Sequence, residues 1–496
     1  MIGDGSNLFG PVEPADAYTV IGPGREEETL DILEKIAVKI ARTRRPGAVS
    51  DIPAGATYLA QIAVHDMGFL TGARRMSRGD AQLQTAFDLH VIYGDGPRHD
   101  AACYEKPADG AAPRVKLRLG RARTSNTSPA WGARRDLPRM SCPHLDAQGG
   151  STPTEVLIPS ALSDSNSALA QVQTILSLLH NAVVARLEES MPKLEGADLF
   201  DMARRVTIKI YHRMLRRDVL GTWLHPDFAA RYAVAGGARL DQDRAGRVPA
   251  EYMTGVARLG HGLVKDIYSL NRHHPHMGLR DMILHTSLKR PAQMPLTEDW
   301  LFDFSHFFSI NGSEPQMARA LGPHMPRLFG RNTNAVKGVE GRDGGLILRD
   351  LLAGADDAQR SVPSLIAKAE DAERGVLETR FAGDAARWQA AVGDWLASID
   401  MLDADRQTLT ASPPLYLFLM LEAEADAEGR TLGALGSIIM GETYAAALEE
   451  AEAAWLHEDL DAACAGCFGT NLPADTAETV VFLQNHYRFG PDARLH

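Results

Sequence analysis

Three polar side chains lie in an apolar segment that has the length of one helix. The segment runs from Tyr58 to Leu70, and its polar members are Gln61, His65 and Asp66. In a helix Gln61 and His65 share a face, whereas Asp66 points about a quarter turn away. A buried polar group needs a hydrogen-bonding partner or a chemical role. The pattern indicates one polar face at a reaction centre and one carboxylate in a structural contact. A satisfied core histidine is the alternative.

A second histidine lies in the segment from Glu251 to Leu270. As one helix, this segment places Arg258, His261 and Lys265 on a common face, and glycines flank His261 on both sides. Each glycine inside a helix costs about 1 kcal/mol relative to alanine. The pair indicates close approach of a flat group or, alternatively, a helix crossing at small residues. A histidine so presented can bind a metal through one ring nitrogen, and haem iron is the flat candidate.

The elements that must position these residues are predicted to be helices. Helical periodicity covers residues 26–43, 199–220, 248–270, 299–308 and 346–352, an amphipathic stretch at 167–187, and several helices within 361–461. Alternating strand patterns are few, and residues 94–155 are rich in loop residues. The predicted fold class is mainly α, with an extended arm over 1–24 and one large helical domain over 25–496.

Composition narrows the function classes. The 496 residues are 45% hydrophobic and 23% charged, as in an ordinary globular protein. A net charge of -12 argues against a nucleic-acid partner. We find no apolar run long enough to span a bilayer and no classical signal peptide. A cytoplasmic protein without a membrane partner is therefore expected, and secretion by a non-classical route stays open. Cys464 and Cys467 form an isolated CxxC pair. The sequence leaves the oligomeric state open.

Five groups of motifs in a fixed order resemble the animal (myeloperoxidase-like) haem peroxidase superfamily, in its bacterial branch. The likeness covers roughly residues 25–460. Its motifs are Ile52–Gln61 followed by His65 and Asp66; Phe87–Gly94; Asp136–Arg139 with Asp164–Asn166 and His180-Asn181; Arg258–His261; and Leu346–Leu352.

The resemblance implies a role for each residue of the haem site. His261 would be the proximal iron ligand, and Arg258 would pair with a haem propionate. Asp350 maps to the asparagine that buttresses the proximal histidine, and a carboxylate there should favour ferric iron. His65 would be the distal base, which takes a proton from hydrogen peroxide and returns it to the departing oxygen. Gln61 would face the distal cavity where halide or water binds.

The resemblance also implies a calcium site beside the distal helix. Asp66 and Asp88 would be calcium ligands, but His90 stands where a serine or aspartate ligand is usual. Calcium prefers oxygen ligands. The sequence therefore leaves open whether calcium binds at this site.

Other positions depart from the family pattern. The catalytic arginine should lie two residues before Asp164, where this chain has Leu162. Losing one such preorganised donor costs about 100- to 1000-fold in rate. The carboxylates that esterify the haem map to Val64 and Ser165, so the expected cofactor is haem b without ester links. A second propionate-binding arginine maps to Ala353.

These observations leave several functions open. The first is a haem peroxidase that uses hydrogen peroxide to oxidise a small substrate. The others are a specialised haem oxygenase or biosynthetic oxidant, and a non-catalytic haem protein. Outside haem chemistry, His273, His274 and His276 could bind a transition metal, against the alternative of a solvated loop.

Overall fold

The structure is a computed structural model, which describes residues 7–18, 24–70, 87–108, 110, 112–125, 134–141, 153–240, 248–355, 359–373, 375–453 and 458–487. Parts of the predicted arm, of the 94–155 loop region and of the C-terminal segment lie outside these ranges.

Helices make up most of the described chain. The α-helices are α1 Glu26–Arg42, α2 Ala54–Leu70, α3 His90–Tyr93, α4 Ser167–Ser190, α5 Gly196–Met214, α6 Gly221–Trp223, α7 Pro226–Tyr232, α8 Ala257–Leu263, α9 Leu279–Leu284, α10 Gly345–Ala353, α11 Val362–Glu373, α12 Ala385–Leu396, α13 Asp403–Ala411, α14 Leu415–Ala427, α15 Ala434–Ala453, α16 Glu458–Phe468 and α17 Thr476–Tyr487. Two π-helical segments, Leu215–Leu220 and Tyr252–Val256, directly precede α6 and α8.

The strands are short and pair only two at a time in the described residues. They are β1 Val49–Pro53, β2 Gly120–Arg121, β3 Arg135–Asp136, β4 Arg139–Ser141, β5 Pro153–Val156, β6 Ile267–Tyr268, β7 Met277–Gly278 and β8 Met317–Arg319. All four pairs are antiparallel: β1 with β8, β2 with β3, β4 with β5, and β6 with β7. The core is therefore built by helices, and the mainly α prediction is confirmed.

Helix α4 lies in the middle of this core. Every residue from Ser167 to Val184 is buried, and α4 packs against α2, α5, α16 and α17. The predicted helix is therefore confirmed, whereas its predicted amphipathic character is wrong, because neighbours cover all faces of this part of α4. By length and composition α4 could cross a membrane, contrary to the sequence expectation, yet 94% of its apolar window is buried inside the protein. Its hydropathy is that of a core helix.

Two predicted helices differ in the structure. The 248–270 helix ends at Leu263, since Val264 is extended and the Tyr268 hydroxyl accepts the backbone N–H of Lys265 (2.9 Å). Lys265 therefore lies beyond the helix that carries His261. The predicted 299–308 helix consists of short 3-10 turns, because the Asp303 side chain caps a new turn there.

The described part of the arm, residues 7–18, packs on the helical domain. The N–H of Leu8 donates to the carboxylate of Glu251 (2.9 Å), and the N–H of Tyr18 donates to the carbonyl of Gln359 (2.7 Å). The side chains of Leu8 and Tyr18 are buried. The arm thus contributes apolar surface to the domain core.

Candidate haem site

The N-terminus of α2 is fixed by backbone contacts before the helix reaches its histidine. The N–H of Ala54 donates to the carbonyl of Gln316 (2.9 Å), and the N–H of Gly55 donates to that of Phe307 (3.1 Å). These bonds satisfy two of the donors that a helix start leaves unpaired. A Cβ on Gly55 would lie 2.3 Å from the ring of Phe308, so the contact requires glycine.

One stripe of α2 is left partly uncovered. Gln61, Val64, His65 and Gly68 are partly exposed, whereas the other residues from Ala54 to Met67 are buried. These four lie on one face, at the spacing that a helix requires. Among the described residues, the Nδ1 atom of His65 is buried without a hydrogen-bond partner. The uncovered stripe therefore presents an unpaired imidazole and a carboxamide side by side.

The environment keeps His65 neutral. Burial first, and then the charge of His261, lower the pKa of His65 to about 4. The interaction requires the two histidines to be neighbours, and α2 packs against α8. A neutral imidazole at ordinary pH can accept a proton.

His261 is held by a buried carboxylate. Its Nδ1 lies 2.7 Å from Oδ2 of Asp350, while Nη1 of Arg258 donates to the other oxygen at 3.3 Å. Asp350 is fully buried in α10. Because the carboxylate accepts from Nδ1–H, the tautomer leaves Nε2 with a free lone pair. Among the described residues Nε2 of His261 has no partner.

Residues that the sequence reasoning missed complete this side of the site. Tyr416 of α14 donates to the carbonyl of Arg258 (3.5 Å), and burial and the charge of Asp350 raise its pKa well above the usual value. The ring of Phe329 lies edge-on to His261, 5.8 Å between centroids. The one available signal was the hydroxyl of Tyr416 inside an apolar run, since a buried tyrosine hydroxyl needs a partner.

The glycines beside His261 have packing partners in the protein. A Cβ on Gly260 would lie 3.4 Å from Trp223, and one on Gly262 would lie 3.6 Å from the sulfur of Met325. A Cβ at either position would make an ordinary van der Waals contact, so these neighbours do not require glycine. Both explanations of the glycines, a helix crossing and the close approach of a flat group, therefore stay open.

The two histidines fit the requirements of a haem site. A haem ligand needs a histidine with one free nitrogen and the other nitrogen oriented by an acceptor, which His261 provides. His65, on the partly uncovered face of α2, has a buried Nδ1 without a hydrogen-bond partner among the described residues. The structure thus brings together Gln61, His65, Arg258, His261 and Asp350 as two neighbouring groups.

Comparisons with known proteins agree with this geometry. Residues 115–321 match the family model for animal haem peroxidase. Peroxidase A from Dictyostelium discoideum aligns over 99% of this chain and 96% of its own, with a TM-score of 0.58 and 13% identity.

Over residues 115–321 the chain therefore resembles animal haem peroxidases, and as a whole it shares the fold of peroxidase A.

A second fold relative is the fatty acid alpha-dioxygenase of Oryza sativa. It aligns over 98% of this chain and 83% of its own, with a TM-score of 0.55 and 13% identity. No curated protein matches the sequence. The family-model match over residues 115–321 supports a haem-binding, peroxidase-like oxidoreductase, whereas the bacterial branch stays a prediction.

The superfamily motifs around Asp136 and Asp164 form a buried ion cluster. The guanidinium of Arg139 lies 3.0 Å from Asp136 and 3.1 Å from Asp164, and all three side chains are almost fully buried. Arg139 is therefore committed to a structural contact. The 3-10 helix that carries Leu162 contacts α2, and Leu162 is 52% exposed. Position 162 thus carries an apolar side chain that is half exposed to solvent.

The described residues do not fit the predicted calcium site. The carboxylate of Asp66 accepts N–H groups from Leu89 (2.8 Å) and Val91 (3.3 Å). Burial and the charge of Asp88 raise its pKa to about 7. Asp88 itself lies 3.9 Å from the guanidinium of Arg204. Calcium needs about six to eight oxygen ligands, and no group of three acidic, histidine or cysteine side chains is placed for a metal within the described ranges.

Two other candidate groups form no metal site among the described residues. His273 accepts a hydrogen bond from the neighbouring arginine (2.9 Å), and His274 pairs with Asp299 (3.1 Å). Cys464 and Cys467 are buried thiols, and burial raises the pKa of Cys467 to about 12. The transition-metal hypothesis for the histidine cluster is therefore not supported.

Proposed function

We propose that this protein is a haem-dependent, peroxidase-like oxidoreductase that uses hydrogen peroxide to oxidise a small substrate. One observation carries the proposal: two neighbouring histidines have opposite surroundings, one fixed on a buried carboxylate and the other unpaired on an uncovered helix face. A bound haem would supply the redox-active iron through which electrons pass from substrate to peroxide.

The proximal group would hold the cofactor. His261 would bind iron through Nε2, and Asp350 would orient the ring and give it more imidazolate character, which favours ferric iron. Arg258 uses Nε on the carbonyl of Met253 and Nη1 on Asp350. Its Nη2 has no partner among the described residues, which leaves it available for a haem propionate.

The distal group would handle protons. His65, neutral because of its lowered pKa, would take a proton from hydrogen peroxide and return it to the departing oxygen. Gln61, on the same uncovered face, would hydrogen-bond water or halide. With Leu162 at the arginine position, no guanidinium from that position would stabilise charge on the departing oxygen. We expect peroxide cleavage to be about 100- to 1000-fold slower than with such a donor.

The proposed cofactor is non-covalent haem b. Val64, on the uncovered stripe of α2, carries no carboxylate, and Ser165 carries only a hydroxyl. Neither side chain can form an ester with a haem methyl group through a carboxylate. Acid–acetone should therefore extract the haem completely, and retention of haem by the protein would contradict the proposal.

A haem oxygenase is the second candidate, favoured by Leu162 at the position where the resemblance expects the catalytic arginine and compatible with the fold likeness to the fatty acid alpha-dioxygenase. An oxygenase would consume molecular oxygen with its substrate and need no peroxide. Oxygen-electrode measurements with a panel of small substrates and apolar acids, without peroxide, distinguish it from a peroxidase.

The deciding experiment is an absorbance spectrum of the haem-loaded protein before and after peroxide, with a reducing dye as electron donor. We expect a Soret band, a peroxide-dependent spectral change and slow dye oxidation. A normal Soret band without any response to peroxide would indicate a non-catalytic haem protein. Failure to bind haem would contradict the proposal as a whole.

A further inference from the structure

The loop that follows Phe87 is strained towards the distal helix. Phe87 and Leu89 have positive φ angles of 68° and 55°, although neither is glycine. Such angles cost free energy and persist only where the surroundings enforce them. Here they aim the N–H groups of Leu89 and Val91 at the carboxylate of Asp66. The loop is thus folded around a buried carboxylate that directly follows His65.

Helix α5 also contacts this loop, through His212 and Tyr211. The ring nitrogen Nε2 of His212 donates to the carbonyl of Phe87 (3.0 Å), and its lowered pKa, about 4 because of burial, keeps that imidazole neutral. The ring of Tyr211 meets the ring of Phe87 edge-on, 6.4 Å between centroids. These contacts fix the position of Phe87 at the start of the loop.

Arg204 lies two turns before His212 on α5 and supplies a positive charge next to this loop. Its guanidinium lies 3.9 Å from Asp88 and 5.5 Å above the ring centre of Tyr93. A cation over an aromatic face gains additional attraction. Two buried carboxylates, Asp66 and Asp88, are close enough to repel each other. A cation at this place compensates that repulsion.

We propose that Arg204 compensates the negative charge of the carboxylates at this loop, as a divalent cation would, so that the fold beside the distal helix does not depend on calcium. Backbone N–H groups occupy the oxygens of Asp66, and a guanidinium faces Asp88 where a metal would have to bind. Because Asp66 directly follows His65, the contacts of Asp66 with the loop also hold the histidine-bearing end of α2 against α3.

Thermal unfolding of the wild-type protein with EDTA or with millimolar calcium tests the proposal. We expect the same Tm in both, and no heat of calcium binding in isothermal titration. A Tm lowered by EDTA, or saturable calcium binding, would overturn the proposal. Both measurements can be made without haem, so their outcome is separate from that of the proposed function.

The matched variants are Arg204→Gln and Arg205→Gln. Arg205 is the half-buried next residue of α5 and has no ion pair with the described residues. We expect Arg204→Gln to lower the Tm by about 2–4 °C and Arg205→Gln to leave it unchanged. Equal Tm values for the two variants would also overturn the proposal. Should Arg204→Gln fail to fold, the wild-type calcium titration still decides.

Discussion

The two histidines of the candidate haem site have opposite surroundings. His261 is fixed through Nδ1 by the buried carboxylate of Asp350, which also binds Arg258. Nδ1 of His65 has no partner among the described residues. The difference matches two tasks. An axial ligand must hold one geometry, so it needs an oriented ring, whereas an acid–base catalyst must exchange its proton with a small molecule.

Removal of the fixed histidine should have the largest effect. His261→Ala deletes the proposed axial ligand while Asp350 and Arg258 remain. We expect loss of most bound haem or a shifted Soret band from a different ligation, measured by absorbance and pyridine haemochrome. His276→Ala, in an exposed loop, is the control. An unchanged spectrum and haem content in His261→Ala would show that the fixed histidine is not the ligand.

Removal of the unpaired histidine should spare binding and slow chemistry. His65→Ala should keep the haem content, because no proposed ligand is lost. The rate of the spectral change after peroxide, measured by stopped flow, should fall about 100- to 10,000-fold, the usual contribution of a general acid–base group. An unchanged rate would show that His65 is not the acid–base catalyst. Gln61→Ala should have a smaller effect on the same rate.

The carboxylate behind His261 should have an intermediate effect. Asp350→Ala removes the acceptor of Nδ1–H, and loss of such an outer-shell partner costs about 10- to 100-fold in affinity or activity. Asp350→Asn keeps an acceptor without the charge, so haem affinity should partly recover while the reduction potential rises. Spectroelectrochemistry checks the potential, with Asp343→Ala, an exposed carboxylate before α10, as control. Equal reduction potentials in Asp350→Asn and the wild type would show that the charge of Asp350 does not influence the potential.

The smallest effect concerns pH. Since the pKa of His65 is lowered to about 4, the peroxide rate should be flat between about pH 5 and 8 and fall as the pH falls through the folded value. The unfolded histidine titrates near 6.5, so His65 also makes folding less favourable as the pH falls from 6.5 to about 4. Stopped flow across pH measures the first effect, and His65→Ala should lose it. An inflection near 6.5 would contradict the buried, unpaired environment.

Sequence reasoning succeeded where a motif is local. The polar pattern of Gln61, His65 and Asp66 predicted correctly that two side chains share a face and that the third makes a structural contact, here with the amides of Leu89 and Val91. It failed where distant segments decide. The helix of His261 ends early because the Tyr268 hydroxyl takes the next backbone N–H.

The sequence by itself determined the mainly α fold class, the resemblance to animal haem peroxidases and the residue types of the candidate site, because periodicity and motif order are local properties of the chain. Only the tertiary structure decided what each residue contacts. It joined Asp350 to His261 across 89 positions, buried His65 enough to keep it neutral, and brought Arg204 to Asp88. Hydrogen bonds, burial and charge pairing arise between segments distant in sequence, and no spacing along the chain specifies them.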